Sequence, residues 1–141
     1  MSQYTSQYPD VPVDSALRKY FEEFYKASDT PEAHEKHVNH FRDDATMIMA
    51  SKMVKGRSIL NMPKSMWEHV ASRSHKPEKI FPFGPNADEV LMFGTVSYGL
   101  KNRKSNEITW AARAHLVKDG AEWKMDYYQV YLNDAAQNAS K

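Results

Sequence analysis

Residues 107–117 (EITWAARAHLV) and 122–132 (EWKMDYYQVYL) flank the turn Lys118-Asp119-Gly120-Ala121, and their reading decides the fold. Alternation sustained through both runs, carried by β-branched and aromatic side chains, marks two strands. An Asp-Gly turn between such runs marks a hairpin. In the first run the even positions Ile108, Trp110, Ala112, Ala114 and Leu116 are all apolar, whereas the odd ones include Thr109, Arg113 and His115. The even face should point inward, and its alanines leave the room a cavity wall needs. In the second run the even set is Lys124, Asp126, Tyr128 and Val130; the odd set is Trp123, Met125, Tyr127, Gln129 and Tyr131. A slip of one residue exchanges these sets between faces. A two-residue Asp119-Gly120 turn pairs Arg113 with Asp126 outside. A three-residue loop with a bulge places Asp126 and Tyr128 inside with Trp110, and this second register is the one adopted. It leaves Arg113, Met125, Tyr127, Gln129 and Tyr131 on an outer face with the composition of an interface core, although an ordinary solvated sheet side is the alternative.

Upstream, residues 89–100 read as a strand and 78–83 as an extended piece. The first half is helical. Asp14 or Ser15 caps a helix to about Ala27, whose stripe Leu17, Tyr20, Phe21, Phe24 and Tyr25 has helical spacing. Asp29-Thr30-Pro31 ends it and opens a second helix carrying Ala33, His37, Val38 and Phe41. Asp43-Asp44 breaks that helix, and residues 45–50 form a short strand. Gly56-Arg57-Ser58 opens a third helix with Met66, Trp67 and Val70 on its buried side, kinked at Pro63 and ended near Lys76-Pro77. The expected organisation is a flexible arm at 1–12, a single α+β domain at 13–134 and a disordered tail at 135–141. The domain is expected to be a cone-shaped, curved antiparallel sheet wrapped over three N-terminal helices around an internal apolar pocket.

At 141 residues the chain is long enough for one domain with a core and a pocket. It has no cysteine, which removes disulfide and thiolate chemistry and fits a reducing, cytoplasmic setting. Nineteen basic residues against eighteen acidic ones create no strong field, so neither nucleic acid nor an anionic membrane is an expected partner. The opening MSQYTSQYPDVP has no hydrophobic run of a signal peptide, and no apolar segment is long enough to span a bilayer.

The order of elements and several local motifs resemble the nuclear transport factor 2-like superfamily, in particular its SnoaL-like branch. These are the aromatic first helix, Phe41-Arg42-Asp43-Asp44-Ala45-Thr46 before the first strand, Gly56-Arg57, Gly94-Thr95-Val96 within a strand, and Asp119-Gly120 followed by Trp123-Lys124. The resemblance runs over about residues 14–133. It implies an apolar pocket in the cone and dimerisation through the outer sheet face. The superfamily includes ketosteroid isomerase, scytalone dehydratase, limonene epoxide hydrolase, polyketide cyclases and non-catalytic modules, so the fold alone assigns no activity. The isomerase's base position corresponds to Met49 or its neighbours Ile48 and Ala50, its oxyanion-hole tyrosine to Phe21, and its carboxylic acid roughly to Ala112. None of these supports steroid isomerisation. The paired histidines of scytalone dehydratase have no match, and the cyclase aspartate falls near Tyr127 or Tyr128.

Asp126 and Tyr128, two apart on one strand, would share a face about 6–7 Å apart. A carboxylate within an apolar cone has a raised pKa and suits a general base, with Tyr128 donating to a developing oxyanion. The competing reading pairs Asp126 with Arg113 or Lys124. His69 is the candidate acid at the cavity mouth, an exposed histidine being the alternative. Tyr20, Phe24, Met49, Met66 and Trp110 are the candidate ligand-binding residues. His34, His37 and His40 lack the phase of a metal site, since i, i+3, i+6 turns the third ring away; no metal or organic cofactor is expected. Eight methionines either fill an irregular core or adapt to an irregular ligand. The expected function is binding of a small apolar metabolite, polyketide- or terpenoid-like, with acid–base isomerisation, cyclisation or dehydration. The alternative is a non-catalytic binding or dimerisation module. The expected partner is a second copy, through Arg113, Tyr127, Gln129 and Tyr131.

Overall fold

A computed structural model of the chain describes residues 2–62 and 67–132. Helix α1 (Ser15–Ser28) starts where the Asp14 carboxylate accepts the Ala16 N–H at 2.9 Å, and it buries the stripe Leu17, Tyr20, Phe21, Phe24 and Tyr25. Then come α2 (His34–Val38), β1 (Phe41–Met49), β2 (Lys52–Lys55), a 3-10 turn (Gly56–Leu60), β3 (Val70–Pro82), β4 (Glu89–Leu100), β5 (Ser105–Asp119) and β6 (Glu122–Tyr131). The strands form one sheet of six in the order β2-β1-β6-β5-β4-β3. This is an α+β fold.

Two expectations are corrected. The sheet is mixed, because β1 runs parallel to β6, with Met47 opposite Tyr128. Turn chemistry fixes direction only between strands joined by short loops; these two come from opposite ends of the chain. The third helix also does not extend as expected. After the 3-10 turn and helical residues 61–62, residues 67–69 form a turn and β3 begins at Val70. Residues of the expected helix end are therefore strand. The expected kink at Pro63 and the tail at 135–141 lie outside the described residues.

Within the segment 1–12, expected to be a loose arm, residues 3–7 lie along β3. Gln7 N–H donates to Glu78 O at 2.8 Å and Ile80 N–H to Gln7 O at 3.0 Å. Tyr4 and Tyr8 pack against the core, and Arg18 lies 4.3 Å over the Tyr8 ring.

The hairpin combines features of both anticipated registers. Asp119 pairs with Glu122, so the loop is Gly120-Ala121, with Gly120 at φ 69 in the position that turn requires to be glycine. The register then shifts where His115 opposite Tyr127 meets Leu116 opposite Met125. Asp126 is the extra residue of that bulge. Consequently Met125 faces inward before it, Tyr128 and Val130 face inward after it, and all three are buried. The even face of β5 packs against α1, with the Tyr25 and Trp110 rings 5.3 Å apart.

β3 bends against β4 through irregularities at Val70/Ser72 and Pro77/Lys79. Gly94 faces the second of these, where an added Cβ would lie 2.2 Å from Lys76 O and 2.9 Å from Pro77 Cα. Both obstacles are backbone and cannot rotate away. Gly94→Ala should therefore cost about 3 kcal/mol, read as a lower denaturant midpoint; an unchanged midpoint would contradict this strand contact.

Candidate functional site

The C-terminal end of α1 meets β3 in a buried polar cluster. Ser28 and Asp29 end the helix, and Arg73 and His75 project from β3 on the same side. Arg73 Nε donates to Ser28 O at 3.1 Å and Nη2 to Ser28 Oγ at 3.1 Å, which satisfies a free carbonyl of the helix end with a cation. Asp29 puts a carboxylate at that same negative helix end, where it needs partners. It has them: His75 Nδ1–H donates to Oδ1 at 2.6 Å, the His75 backbone N–H donates to Oδ2 at 2.7 Å, and Tyr4 O–H donates to Oδ2 at 2.9 Å. Arg73 Nε stands 3.8 Å from Oδ1, and both side chains are 5% exposed.

The His75 ring packs against Tyr25 at 5.2 Å and Trp110 at 5.8 Å. With Nδ1 held by Asp29, only Nε2 remains for another partner. Burial lowers the pKa of His75, opposed by its bond to Asp29. His75 lines a cavity of about 30 Å3. Its polar lining includes Ser28, His37, Arg73, Tyr98 and Tyr128 with Trp110, and its apolar lining includes Phe24, Met47, Met49 and Met62. A void of this size holds about two water molecules, so a larger guest must displace side chains. The methionines are the ones best suited to move.

Two polar atoms in this lining have no hydrogen-bond partner although buried: His37 Nδ1 and Trp110 Nε1. Such atoms are costly unless a ligand or water meets them. Tyr128 and Tyr25 share a proton-bearing contact at 2.8 Å, and Tyr25 O–H also reaches Met92 Sδ at 3.0 Å. The single Tyr25 proton goes to one of these; when it goes to Tyr128 rather than to Met92, the Tyr128 proton is left for a ligand. Burial pushes the Tyr128 pKa upward, so it stays protonated.

Of the residues singled out from sequence, Phe24, Met49, Trp110 and Tyr128 line this cavity. Tyr20 does not: its hydroxyl donates to His40 O at 2.6 Å, and it borders an open cleft of about 790 Å3 between α1, α2 and the β5–β6 turn. That cleft lacks the buried cluster of titratable groups. Asp126 is outside, since the bulge turns it to the outer face, where it accepts from His115 Nδ1 at 2.6 Å. The alternative reading named Arg113 or Lys124 as its partner, so that expectation is also corrected. Arg113 instead pairs with Glu89 at 2.9 Å. His69 is exposed in the turn before β3, its carbonyl accepting from Lys101 N–H at 3.0 Å. Met66 lies outside the described residues.

Sequence reading missed Asp29, Arg73 and His75. Two irregularities break the period of β3, and two of its inward positions, Arg73 and His75, are polar, so residues 73–76 read as the end of the third helix. The usable signal was Arg73 and His75 at i, i+2 before Pro77, on a strand rather than a helix.

Neither a protein-family model nor a curated protein matches the sequence. Solved structures match the fold. An NTF2-like protein from Exiguobacterium sp. 255-15 superposes at TM-score 0.67 and 16% identity over 85% of this chain and 99% of the other. The fold is nuclear transport factor 2-like. LinA, a hexachlorocyclohexane dehydrochlorinase, shares it at TM-score 0.72 and 17% identity, over 84% of each chain. So does a candidate scytalone dehydratase from Novosphingobium aromaticivorans, at 0.70 and 15% identity over 84% of this chain and 82% of its own. Identities this low establish shared architecture. Among the described residues, no helix is long and apolar enough to cross a membrane, and no three His, Cys, Asp or Glu side chains form a metal-binding group.

Burial holds the His37 pKa down to about 3, against 6.5 for a free histidine, with the Arg73 charge adding to the effect. Between those values the unfolded chain binds the proton and the folded one does not, so stability is full above pH 6.5 and falls as the pH drops. His37→Gln should flatten the fall in melting temperature over that window without abolishing it, because His40 and His75 are shifted the same way. Equal slopes in the two proteins would contradict a neutral, buried His37.

Proposed function

We propose that the chain is a SnoaL-like lyase or isomerase in which His75, oriented by Asp29, removes a proton from a carbon of a small molecule held in the cavity. The observation that carries this reading is the 2.6 Å bond between His75 Nδ1 and Asp29 Oδ1 at the cavity wall. It fixes the proton on Nδ1, leaves the Nε2 lone pair as the base, and places a carboxylate where imidazolium charge develops. Trp110 N–H and Tyr128 O–H are the donors for the negative charge that appears on the substrate. The proton on Nε2 then returns to another carbon, giving isomerisation, or leaves with the departing group, giving elimination. No metal or organic cofactor enters these steps. Asp126 and His69 have no part in them, both lying away from the cavity.

The substrate must offer an apolar body to Phe24, Met47, Met49 and Met62, and a hydrogen-bond acceptor to Trp110. A polyketide- or terpenoid-like metabolite has those features. Two structural neighbours are named for eliminations, a dehydrochlorinase and a candidate dehydratase, which favours elimination. The cavity of about 30 Å3 favours a second reading, a binding module that opens around its ligand without transforming it.

One assay separates them. A panel of β-hydroxy ketones and alicyclic polyhalides is followed for loss of water or halide. Turnover should fall by about 100-fold or more in His75→Asn and in Asp29→Asn, each assayed at a temperature where circular dichroism shows the variant folded. Ligands that raise the melting temperature but are never turned over would establish the binding module instead, and full turnover by His75→Asn would remove His75 as the base.

The same chain is proposed to dimerise through the outer sheet face. Arg113 lies 4.7 Å over the Tyr127 ring, Gln129 is paired with Arg113 in register, and Tyr131 and Leu91 are 49% and 54% exposed. Sedimentation at micromolar concentration should give a dimer that Tyr131→Asp dissociates. A monomeric parent chain, or a dimer indifferent to Tyr131→Asp, would contradict this face.

A further inference from the structure

The N-terminal segment touches the His75–Asp29 pair directly, which its composition gave no reason to expect. Tyr4 O–H donates to Asp29 Oδ2 at 2.9 Å, the oxygen that also takes the His75 backbone N–H. The segment is held there independently of this bond. Gln3 Nε2 donates to Ser74 Oγ at 2.7 Å and to the His75 carbonyl at 3.0 Å, and Ser6 Oγ donates to Pro77 O at 3.1 Å. Gln7 pairs with β3 beyond them. With so many other anchors, the tyrosine ring could hold the segment without its hydroxyl. The hydroxyl adds a directed donor to a buried carboxylate. Burial and the adjacent Asp29 raise the Tyr4 pKa, so the donor stays protonated.

We propose that Tyr4 is a positioning residue that draws charge from Asp29 Oδ2 and so limits how strongly Asp29 holds the proton of His75, which makes the N-terminal segment part of the site. The inference rests on the His75–Asp29 reading above. The groups facing His75 are Asp29 and Tyr25 from α1, Arg73 beside it on β3, Trp110 from β5, and His37 from α2, with Tyr4 acting through Asp29. Of these, Tyr4 is contributed by the segment that precedes α1. A stronger carboxylate charge favours imidazolium, and a hydrogen bond to that carboxylate weakens it. Loss of the Tyr4 hydroxyl should therefore make His75 a stronger base, whereas loss of the Asp29 charge should make it a weaker one.

The test is the pH titration of His75 in the full chain, followed by NMR of histidine-labelled protein without any ligand. Tyr4→Phe should move the His75 midpoint up by about half a pH unit, and Asp29→Asn should move it down. Thr5→Ala removes a bond of the same segment, to Glu22, that does not reach the pair, and should leave the midpoint unchanged. A midpoint unmoved or lowered in Tyr4→Phe, while Asp29→Asn lowers it, overturns the role of Tyr4 and leaves the pair intact. A Thr5→Ala shift equal to that of Tyr4→Phe also overturns it, by assigning the effect to segment placement. A midpoint indifferent to Asp29→Asn overturns the pair itself and the inference with it.

Discussion

A buried carboxylate at the negative end of a helix is the constraint on which this structure depends. Asp29 terminates α1, where the helix dipole disfavours its charge, in surroundings that give little access to water. It is held by the side chain and backbone of His75, by Tyr4, and more loosely by Arg73, whose guanidinium also occupies the Ser28 carbonyl. A buried charge stripped of partners is strongly destabilising. The end of α1 therefore has one favourable seat, against residues 73–75 of β3. That seat orients the aromatic stripe of α1 toward β5 and β6 and presents His75 to the space between them.

The rest of the cavity lining is mostly apolar or aromatic. Phe24, Tyr25, Trp110 and Tyr128 interlock at 5.0–5.3 Å where they touch. Three methionines form the side that can yield. The polar groups of the lining are few: a histidine bound to a carboxylate, an arginine held by the helix end, the Tyr98 and Tyr128 hydroxyls, the Ser28 side chain, and unmatched nitrogens on Trp110 and His37. The proposed proton transfer draws on both, an apolar wall for a carbon skeleton and a few fixed dipoles where charge changes.

Much of the fold was legible because its signals are local. The alternation of residues 107–117 and 122–132, the Asp14 cap and the helical stripe each report on their own neighbourhood, and α1, β4, β5 and β6 followed from them. The site was legible only in part. Phe24, Met49, Trp110 and Tyr128 could be placed because apolar periodicity marks the interior. Asp126 was misplaced because a bulge inside β6, rather than in the turn, rotates a single residue to the outer face. Arg73 and His75 were hidden more deeply, because inward polar residues and two interruptions in pairing erase the pattern by which a strand is recognised. Asp29 looked like an ordinary helix terminator beside Thr30-Pro31; its partners are distant in sequence, Arg73 and His75 on β3 and Tyr4 in the N-terminal segment, and no spacing rule connects them.

The central claim is that Asp29 fixes the protonation geometry of His75 so that a bare nitrogen meets the cavity. Long-range proton–nitrogen correlation spectra of the wild-type chain at neutral pH read that geometry directly. The account requires a neutral His75 ring bearing its proton on Nδ1, with Nε2 unprotonated. A ring protonated on Nε2, or on both nitrogens, would contradict it.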